Sequence, residues 1–355
     1  MIESISYTKL ELQMKKPFKI SLGSTDAYEG FLVKVVSDDG FVGYGEATPT
    51  PFITGDTMGS IEHELNVFSK NLVKMDESPE LINEKMKSLM KSAKASRNAV
   101  DTAIWDIIGK RSGISLKKIL GGYRNNILTS YTVDLVDRNS AKHQAKELLD
   151  SGIQVFKIKM GSGIKEDLER VKAVREVIGP EKMVYVDFNQ AYTAKKTVEI
   201  ARKLETYEIE FLEQPVPAND LKALRFVRNN TAIPVVADEA IFTPEDVSTI
   251  LSMEAADGIN IKLMKSGGIT DSVKMVNTAE SFRAPVMIGC MIETRLSNTA
   301  GLVVALAKKG VKYTDLDGYS SIIKDIAEKG IELRKGYISS NEDAGLGVTL
   351  KKEYS

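Results

Sequence analysis

The sequence is poor in the residues on which several common chemistries depend. Its only cysteine is Cys290, so no disulfide framework can form within the chain, and a reducing compartment is expected. Its two histidines, His63 and His143, lie in the charged, helix-like segments SIEHELNVF and SAKHQAKELL. A Ser-His-Asp triad or a histidine metal site needs a histidine close to other reactive groups, and neither segment places its histidine near such groups. We therefore expect the acid, the base and any metal ligands to be other residues.

The sequence also has neither a dominant charge nor a long apolar run. Its 48 lysines and arginines nearly balance its 49 aspartates and glutamates, which gives no electrostatic basis for binding nucleic acid or an anionic membrane. No apolar segment approaches the roughly 20 residues that cross a bilayer. The first residues, MIESISYTKLELQM, lack the basic start and apolar centre of a signal peptide. The sequence predicts a cytoplasmic protein whose partner is a small molecule, and it leaves homo-oligomerisation open.

The hydrophobic pattern changes near residue 125. Before it, alternating segments at 2–12, 30–36 and 42–46 predict an antiparallel meander, and helical patterns follow at about 57–74, 78–91 and 95–112. We therefore expect an N-terminal α+β domain over residues 1–125. A short alternating segment at 331–355 is expected to return to this domain and complete it.

Between these regions, residues 126–330 alternate between short apolar runs and amphipathic helical stretches. A strand and a helix repeat about every 25 residues, which is typical of βαβ units and a parallel sheet. Eight such strands indicate a closed barrel, and no GxGxxG motif supports the alternative of an open doubly wound sheet. The eight runs are YTVDL, VFKIKM, VYVDF, EFLEQ, PVVADE, INIKL, PVMIGCM and YTDLDG.

Five of the predicted strands end in an ionisable residue, although barrel strands should be apolar. These residues are 24 to 28 positions apart, so each belongs to the next βα unit, and all five should meet at the C-terminal mouth of the barrel. In chain order they are Lys159, Asp187, Glu213, Asp238 and Lys262.

The three carboxylates of this set predict a metal site. Acids that meet at one place repel each other unless a cation neutralises them. An all-oxygen donor set without cysteine or histidine favours Mg²⁺, with Mn²⁺ as the second choice. The alternative is an ordinary ring of ion pairs, which does not explain the regular spacing of the acids.

The two lysines precede and follow the three acids in the chain. The second and sixth strands of an eight-stranded barrel are roughly opposite, so Lys159 and Lys262 should approach a substrate from opposite faces. A lysine next to a metal and a second ammonium has a lowered pKa and can act as a base. Two such lysines can invert one carbon, because one removes the proton and the other returns one. The alternative is a pair of solvated lysines at the rim.

Five motifs, KIKMG, VDFNQAY, EQPV, ADEAIF and NIKLMKSGGI, resemble in this order the enolase superfamily, in its muconate-lactonising branch. The likeness covers nearly the whole chain, including GEATPTPFITGDTM and IGCMIETRLS. It implies an α+β capping domain on a modified TIM barrel of the (β/α)7β type. It also implies one Mg²⁺ per subunit and a 1,1-proton transfer through an enediolate.

The resemblance assigns roles to individual residues. It implies Lys159 and Lys262 as the acid and base catalysts, and Lys157 as the KxK partner that contacts the substrate carboxylate and lowers the pKa of the base. The three Mg²⁺ ligands that it implies are Asp187, Glu213 and Asp238.

The eighth strand indicates which member of the superfamily this is. In TDLDG, Asp315 and Asp317 are two residues apart, so strand alternation predicts that both face the interior. Paired acids suit a substrate ammonium group and resemble the DxD motif of dipeptide epimerases, which holds the free amino end of the dipeptide. The alternative is that one aspartate caps the short helix that follows. The resemblance also implies substrate contacts from Thr132 and from the backbone of Cys290 and Met291.

One position departs from alanyl-glutamate epimerases, which carry an arginine in a PFKxxLR-like run. Here PFKISLG has Gly23 at that place, and a substrate carboxylate without a partner would be costly to desolvate. The sequence therefore predicts an isomerase, a dipeptide epimerase for apolar or aromatic dipeptides such as L-Ala-L-Phe or L-Ala-L-Tyr. L-Ala-D/L-Glu epimerase stays open, since Lys19 can replace the arginine. An N-acylamino-acid racemase, a cycloisomerase and a catalytically inactive binding barrel stay open as well.

Overall fold

The computed structural model describes the backbone of residues 1–20 and 23–355, and the side chains outside residues 17–26. The strands are β1 Ile2–Ile20, β2 Gly23–Ser37, β3 Val42–Ala47, β4 Asn126–Leu128, β5 Ser130–Val133, β6 Val155–Lys159, β7 Met183–Asp187, β8 Ile209–Glu213, β9 Val235–Ala237, β10 Gly258–Lys262, β11 Val286–Gly289, β12 Val311–Asp315, β13 Ala327–Lys329, β14 Glu332–Arg334, β15 Tyr337–Ser339 and β16 Thr349–Leu350. The helices are α1 Met58–Asn71, α2 Pro79–Leu89, α3 Lys94–Ser112, α4 Leu116–Ile119, α5 Arg138–Asp150, α6 Ile164–Ile178, α7 Ala194–Leu204, α8 Leu221–Asn229, α9 Pro244–Ser252, α10 Leu263–Ser266, α11 Ile269–Ser281 and α12 Arg295–Ala307, with short 3₁₀ turns at Glu205–Tyr207 and Gly318–Ser321.

The N-terminal region is the predicted antiparallel meander, in which β2 pairs with both β1 and β3. Helix α3 packs directly on β3, and this close approach depends on two glycines. A Cβ atom at Gly43 would lie 1.9 Å from the carbonyl oxygen of Ala103, and one at Gly45 would lie 1.9 Å from that of Ala99. Any side chain at these two positions would push the helix off the sheet.

Strands β5 to β12 form one eight-stranded sheet in chain order, and all of its neighbouring strands are parallel. Within the described residues, α-helices connect each strand to the next, and no α-helix follows β12 before the C-terminal strands. Side-chain hydrogen bonds join the last strand to the first: Ser130 Oγ of β5 donates to Asp315 Oδ1 of β12 at 2.8 Å, and next to it Leu316 N donates to Thr129 Oγ1 at 3.1 Å. The prediction of a (β/α)7β barrel with an N-terminal α+β region is confirmed.

The inside of the barrel is layered, because alternate residues of a strand face the same side. An apolar cluster fills its lower part, where the rings of Tyr185 and Phe211 stack with centroids 4.4 Å apart. Residues two positions further along the same strands therefore face the same interior, nearer the mouth. The cluster consists of Val155, Tyr185, Phe211, Val236 and Met287, and the corresponding mouth positions are Lys157, Asp187, Glu213, Asp238 and Gly289.

The C-terminal segment contacts both regions of the chain. Strand β14 pairs with β15, which in turn pairs with β4 at the start of the barrel. Further on, Leu346 N donates to Asp106 Oδ1 of α3 at 2.9 Å, and Gly345 O accepts from Leu116 N of α4 at 2.7 Å. The division into domains at 1–125, 126–330 and 331–355 stays a prediction. None of the described helices has the length and apolar character of a membrane span.

Candidate active site

The five ionisable side chains that end successive strands are brought together at the mouth of the barrel. Lys159 is opposite Asp187 in the pairing of β6 with β7, and Asp187 is opposite Glu213 in the pairing of β7 with β8. Asp238 follows the last residue of β9, and Lys262 ends β10. None of the five is more than 5% exposed. Such burial of charge is stable only with close partners.

Lys157 lies at the centre of this group. Its Nζ is 2.9 Å from Asp187 Oδ2, 3.0 Å from Glu213 Oε2 and 2.8 Å from Asp315 Oδ2. Burial lowers the pKa of this lysine, but the charges of the three carboxylates outweigh burial and raise the pKa well above its usual value. Lys157 is therefore a fixed positive charge, and it links the eighth strand to the acids of the third and fourth.

The two lysines predicted to act on opposite faces lie on opposite strands. Three strands separate β6 from β10 in either direction around the barrel. Lys159 Nζ is 2.7 Å from Asp187 Oδ2 and 2.8 Å from Asn189 Oδ1, and Lys262 Nζ is 2.8 Å from Asp238 Oδ2. Burial lowers the pKa of Lys262, but the charges of Asp238, Glu213 and Glu239 together outweigh burial and raise it. The lowered lysine pKa expected beside a metal stays a prediction.

The donor set of the carboxylates fits a divalent cation. Glu213 Oε2 and Asp238 Oδ2 are buried and accept no hydrogen bond, although a lysine ammonium lies at 3.0 Å from the first and 2.8 Å from the second. Burial and the nearby charges of Asp187 and Asp238 raise the pKa of Glu213 to about 8, so added positive charge would be favourable here. The described side chains contain no ready group of three or more His, Cys, Asp or Glu arranged to hold a metal, because lysines stand between the acids.

Four residues that the sequence reasoning missed belong to the same network. Asn260 Nδ2 donates to Glu213 Oε1 at 2.7 Å, and Asn189 Nδ2 donates to Glu239 Oε1 at 3.0 Å. The buried Lys265 donates to the carboxylate and the carbonyl oxygen of Asp238. All four lie in the motifs VDFNQ, ADE and NIKLMK, within three residues of a predicted site residue, and that proximity was the available signal.

Comparison with known proteins identifies the family of the chain. Residues 4–121 match the family model of the mandelate racemase / muconate lactonizing enzyme N-terminal domain, and residues 140–354 match that of the enolase C-terminal domain-like family. The chain is 36% identical over 355 residues to the L-Ala-D/L-Glu epimerase of Clostridium acetobutylicum, with 98% of each chain covered. It is 33% identical over 351 residues to the hydrophobic dipeptide epimerase of Enterococcus faecalis, covering 98% of this chain and 99% of the relative.

A solved structure extends the likeness to three dimensions. The dipeptide epimerase of Enterococcus faecalis V583, complexed with Mg and the dipeptide L-Leu-L-Tyr, superposes with a TM-score of 0.96 at 33% identity, covering 98% of this chain and 99% of that one.

The chain belongs to the enolase superfamily. Within its muconate-lactonising branch it is a member of the dipeptide epimerase family, and it is an isomerase that acts on amino acid derivatives.

The two aspartates of this enolase-superfamily enzyme's eighth strand are not equivalent. Asp315 ends β12, where it binds Lys157 and accepts a hydrogen bond from Ser130 Oγ at 2.8 Å. Asp317 lies beyond the strand, so strand alternation was the wrong reason for placing it inside. A turn brings its Oδ2 to within 3.0 Å of Thr132 N on β5. Its side chain makes no cap bond to the 3₁₀ turn that follows, which removes the capping alternative.

The loop after β11 holds the two residues, Cys290 and Met291, whose backbone was predicted to contact the substrate. Met291 N donates to Glu293 Oε1 at 2.7 Å. The substrate contact predicted from the backbone of Cys290 and Met291 stays a prediction. Cys290 is partly buried, and burial followed by the charges of Asp317 and Glu293 raises its thiol pKa well above the usual value. This cysteine is therefore an uncharged neighbour of the mouth.

The two residues on which the prediction of the substrate's C-terminal side chain depends lie outside the described side chains. Gly23 and Lys19 both fall within residues 17–26. The prediction of a substrate pocket without a fixed positive charge at residue 23 therefore rests on the sequence alone.

Proposed function

We propose that the enzyme is a Mg²⁺-dependent dipeptide epimerase that inverts the α-carbon of the C-terminal residue by a two-lysine 1,1-proton transfer. The observation that carries this proposal is the pair of buried lysines, Lys159 and Lys262, on opposite strands of one barrel mouth with acids between them. A substrate carbon between the two ammonium groups would have one lysine on each face. One lysine in its neutral form removes the α-proton, and the other, protonated, returns a proton from the opposite face.

The three carboxylates Asp187, Glu213 and Asp238 would hold one Mg²⁺ per subunit. The α-proton next to a carboxylate is too weakly acidic for a lysine alone, and a Mg²⁺ bound by these residues would supply the positive charge that stabilises the deprotonated substrate carboxylate. Glu213 Oε2 and Asp238 Oδ2, which are buried and contact only lysine ammonium groups without a well-directed hydrogen bond, support this assignment. A cation would compete with Lys157 and Lys262 for these oxygens, and this competition would lower the pKa of the lysines.

The acids of the eighth strand support a substrate with a free amino group. Asp317 forms no ion pair with a lysine among the described side chains, so its charge is available to a substrate ammonium, whereas Asp315 is bound to Lys157. Gly23 supports an apolar or aromatic C-terminal residue, as in L-Ala-L-Phe or L-Ala-L-Tyr. L-Ala-D/L-Glu is the second candidate substrate, favoured by the 36% identity to the Clostridium acetobutylicum enzyme.

The test is deuterium uptake at the α-carbon, measured by mass spectrometry with a panel of dipeptides and N-acylated amino acids in D₂O. Uptake that needs Mg²⁺ and is stopped by a chelator supports the proposal.

Lys159→Ala should lose exchange from one epimer and partly keep exchange from the other, and Lys262→Ala should show the reverse. Lys165→Ala, which removes an exposed lysine of α6, is the matched control and should behave as wild type. Equal loss of both exchanges in both variants would replace the two-base model by a single mobile base. If an N-acylated amino acid is the best substrate, the epimerase assignment fails.

A further inference from the structure

Helix α6 carries an ion pair that is buried beside the mouth of the barrel. Arg170 is 1% exposed and Asp167 is fully buried, and Arg170 Nη1 is 2.8 Å from Asp167 Oδ1. Taking two charges out of water costs several kcal/mol per ion unless further hydrogen bonds satisfy them. The remaining partners of this pair are therefore informative.

Arg170 binds the backbone at the ends of two neighbouring strands. Its Nη1 donates to Lys159 O at 2.9 Å, its Nε donates to Val136 O at 2.6 Å, and its Nη2 donates to Ser162 Oγ at 2.8 Å. Lys159 is the last residue of β6, and Val136 lies in the loop that follows β5. One planar guanidinium thus fixes the carbonyl of Lys159 relative to the adjacent strand.

Asp167 binds the segment that continues from Lys159. It accepts hydrogen bonds from Gly161 N at 2.7 Å, from Ser162 N at 3.1 Å and from Tyr192 OH at 2.6 Å. Tyr192 comes from the loop after β7, and its OH in turn accepts from Gly163 N at 2.9 Å. The two glycines have φ angles of 126° and 122°, and glycine restricts its own backbone least of all residues. Without these contacts little would hold this segment in one conformation.

We propose that this bracket, defined as Arg170, Asp167 and Tyr192, consists of positioning residues for Lys159. This inference rests on the proposed function, in which Lys159 serves one face of the substrate. The bracket joins the ends of β5, β6 and β7, whereas Lys262 ends β10 on the opposite side of the barrel. Loosening the bracket should therefore misplace one base and leave the other in position. A displacement of about 1 Å from a reactive geometry can cost on the order of 100-fold in rate.

The experiment compares the two α-proton exchange rates of the best dipeptide, starting from each epimer separately in D₂O. Arg170→Lys and Tyr192→Phe each remove part of the bracket and keep most of the buried volume. One of the two epimers loses its exchange in Lys159→Ala. Each bracket variant should slow the exchange of that epimer by at least about tenfold, and should change the exchange rate of the other epimer by less than about twofold. The KM should change less than the kcat, because the bracket touches no substrate.

A matched control lies on the same helix. Arg175 also donates to backbone carbonyls, among them Tyr207 O at 2.7 Å and Lys182 O at 2.8 Å, but at the other end of α6. Arg175→Lys should leave the ratio of the two exchange rates unchanged. Thermal unfolding of every variant reports on stability separately from this ratio.

A bracket that only stabilises the fold would slow both exchanges by the same factor or neither, and either result overturns the inference. If Arg170→Lys does not fold, the milder Tyr192→Phe gives the decisive ratio. If the wild type exchanges both epimers but neither bracket variant shifts the ratio, the positioning inference fails and the proposed function stands. If the wild type shows no exchange with any dipeptide, the proposed function fails and this inference falls with it.

Discussion

Replacing the two aspartates of the eighth strand one at a time should separate substrate binding from catalysis. Asp317→Asn removes a negative charge, but the new amide oxygen can still accept the hydrogen bond that Thr132 N donates at 3.0 Å. The local structure should therefore be kept, and the substitution should mainly weaken the binding of the substrate ammonium group. A charge-assisted hydrogen bond contributes about 1.5–3 kcal/mol, so KM for dipeptides with a free amino group should rise roughly 10- to 100-fold.

Asp315→Asn should behave differently because Asp315 is already paired. The substitution removes one of three carboxylates around Lys157, at 2.8 Å, and leaves Asp187 at 2.9 Å and Glu213 at 3.0 Å. Lys157 would then move toward the two remaining acids and disturb the place of the substrate carboxylate. We expect kcat to fall for all substrates, whether or not they carry an ammonium group.

The assay is kcat and KM for Ala-Phe, with N-succinyl-phenylalanine measured as a substrate or as a competitive inhibitor. Asp317→Asn should weaken the binding of Ala-Phe and leave the binding of the N-succinyl compound almost unchanged. The pKa of Asp317 is raised to about 6 by burial and by the charge of Asp315, so in the wild type KM for Ala-Phe should rise as the pH falls below about 6. That rise should disappear in Asp317→Asn. An equal loss of affinity for both compounds would refute the assignment of Asp317 to the ammonium group.

Three further predictions concern the metal, the stability and the specificity. Glu213→Gln should weaken Mg²⁺ binding in calorimetry and leave the circular dichroism spectrum unchanged, because the amide oxygen can still accept from Asn260; tight Mg²⁺ binding by this variant would contradict the ligand assignment. Burial raises the pKa of Asp101 from 3.8 to about 7, so the folded state favours its protonated form and stability should fall as the pH rises through this window. Between pH 5 and pH 7.5 the free energy of unfolding, measured in urea, should fall by about 2–3 kcal/mol less in Asp101→Asn than in the wild type. The same dependence on pH in both proteins would refute this. Gly23→Arg should raise kcat/KM for Ala-Glu relative to Ala-Phe, and an unchanged ratio would remove the argument from residue 23.

Much of the site could be predicted from strand positions alone. In a parallel barrel every strand ends at the same mouth. Ionisable residues at the ends of five strands must therefore all lie at that mouth. The regular spacing of Lys159, Asp187, Glu213, Asp238 and Lys262 was therefore enough to predict that they converge. Strand alternation by itself did not place Asp317, because the alternation of sides holds only within a strand and β12 ends at Asp315.

The pairing of these groups was decided by contacts between residues far apart in the chain. Lys157 has a long flexible side chain that can reach several acids, and only the folded barrel determines that it binds Asp315, 158 residues away. The sequence did not predict that Glu293, two residues away, accepts a hydrogen bond from the amide of Met291. A backbone group in a loop has no periodic pattern in the sequence, so its partner is fixed only when the loop closes.

The sequence by itself thus determined the order of strands and helices, the side of the barrel at which the charges meet, and the family to which the chain belongs. It could do so because these depend on the local period of the chain and on the identity of residues at strand ends. Only the tertiary structure decided that Arg170 and Asp167 of α6 hold the backbone around Lys159. A buried charge acquires its partners from neighbouring strands and loops, and those neighbours exist only once the barrel has closed.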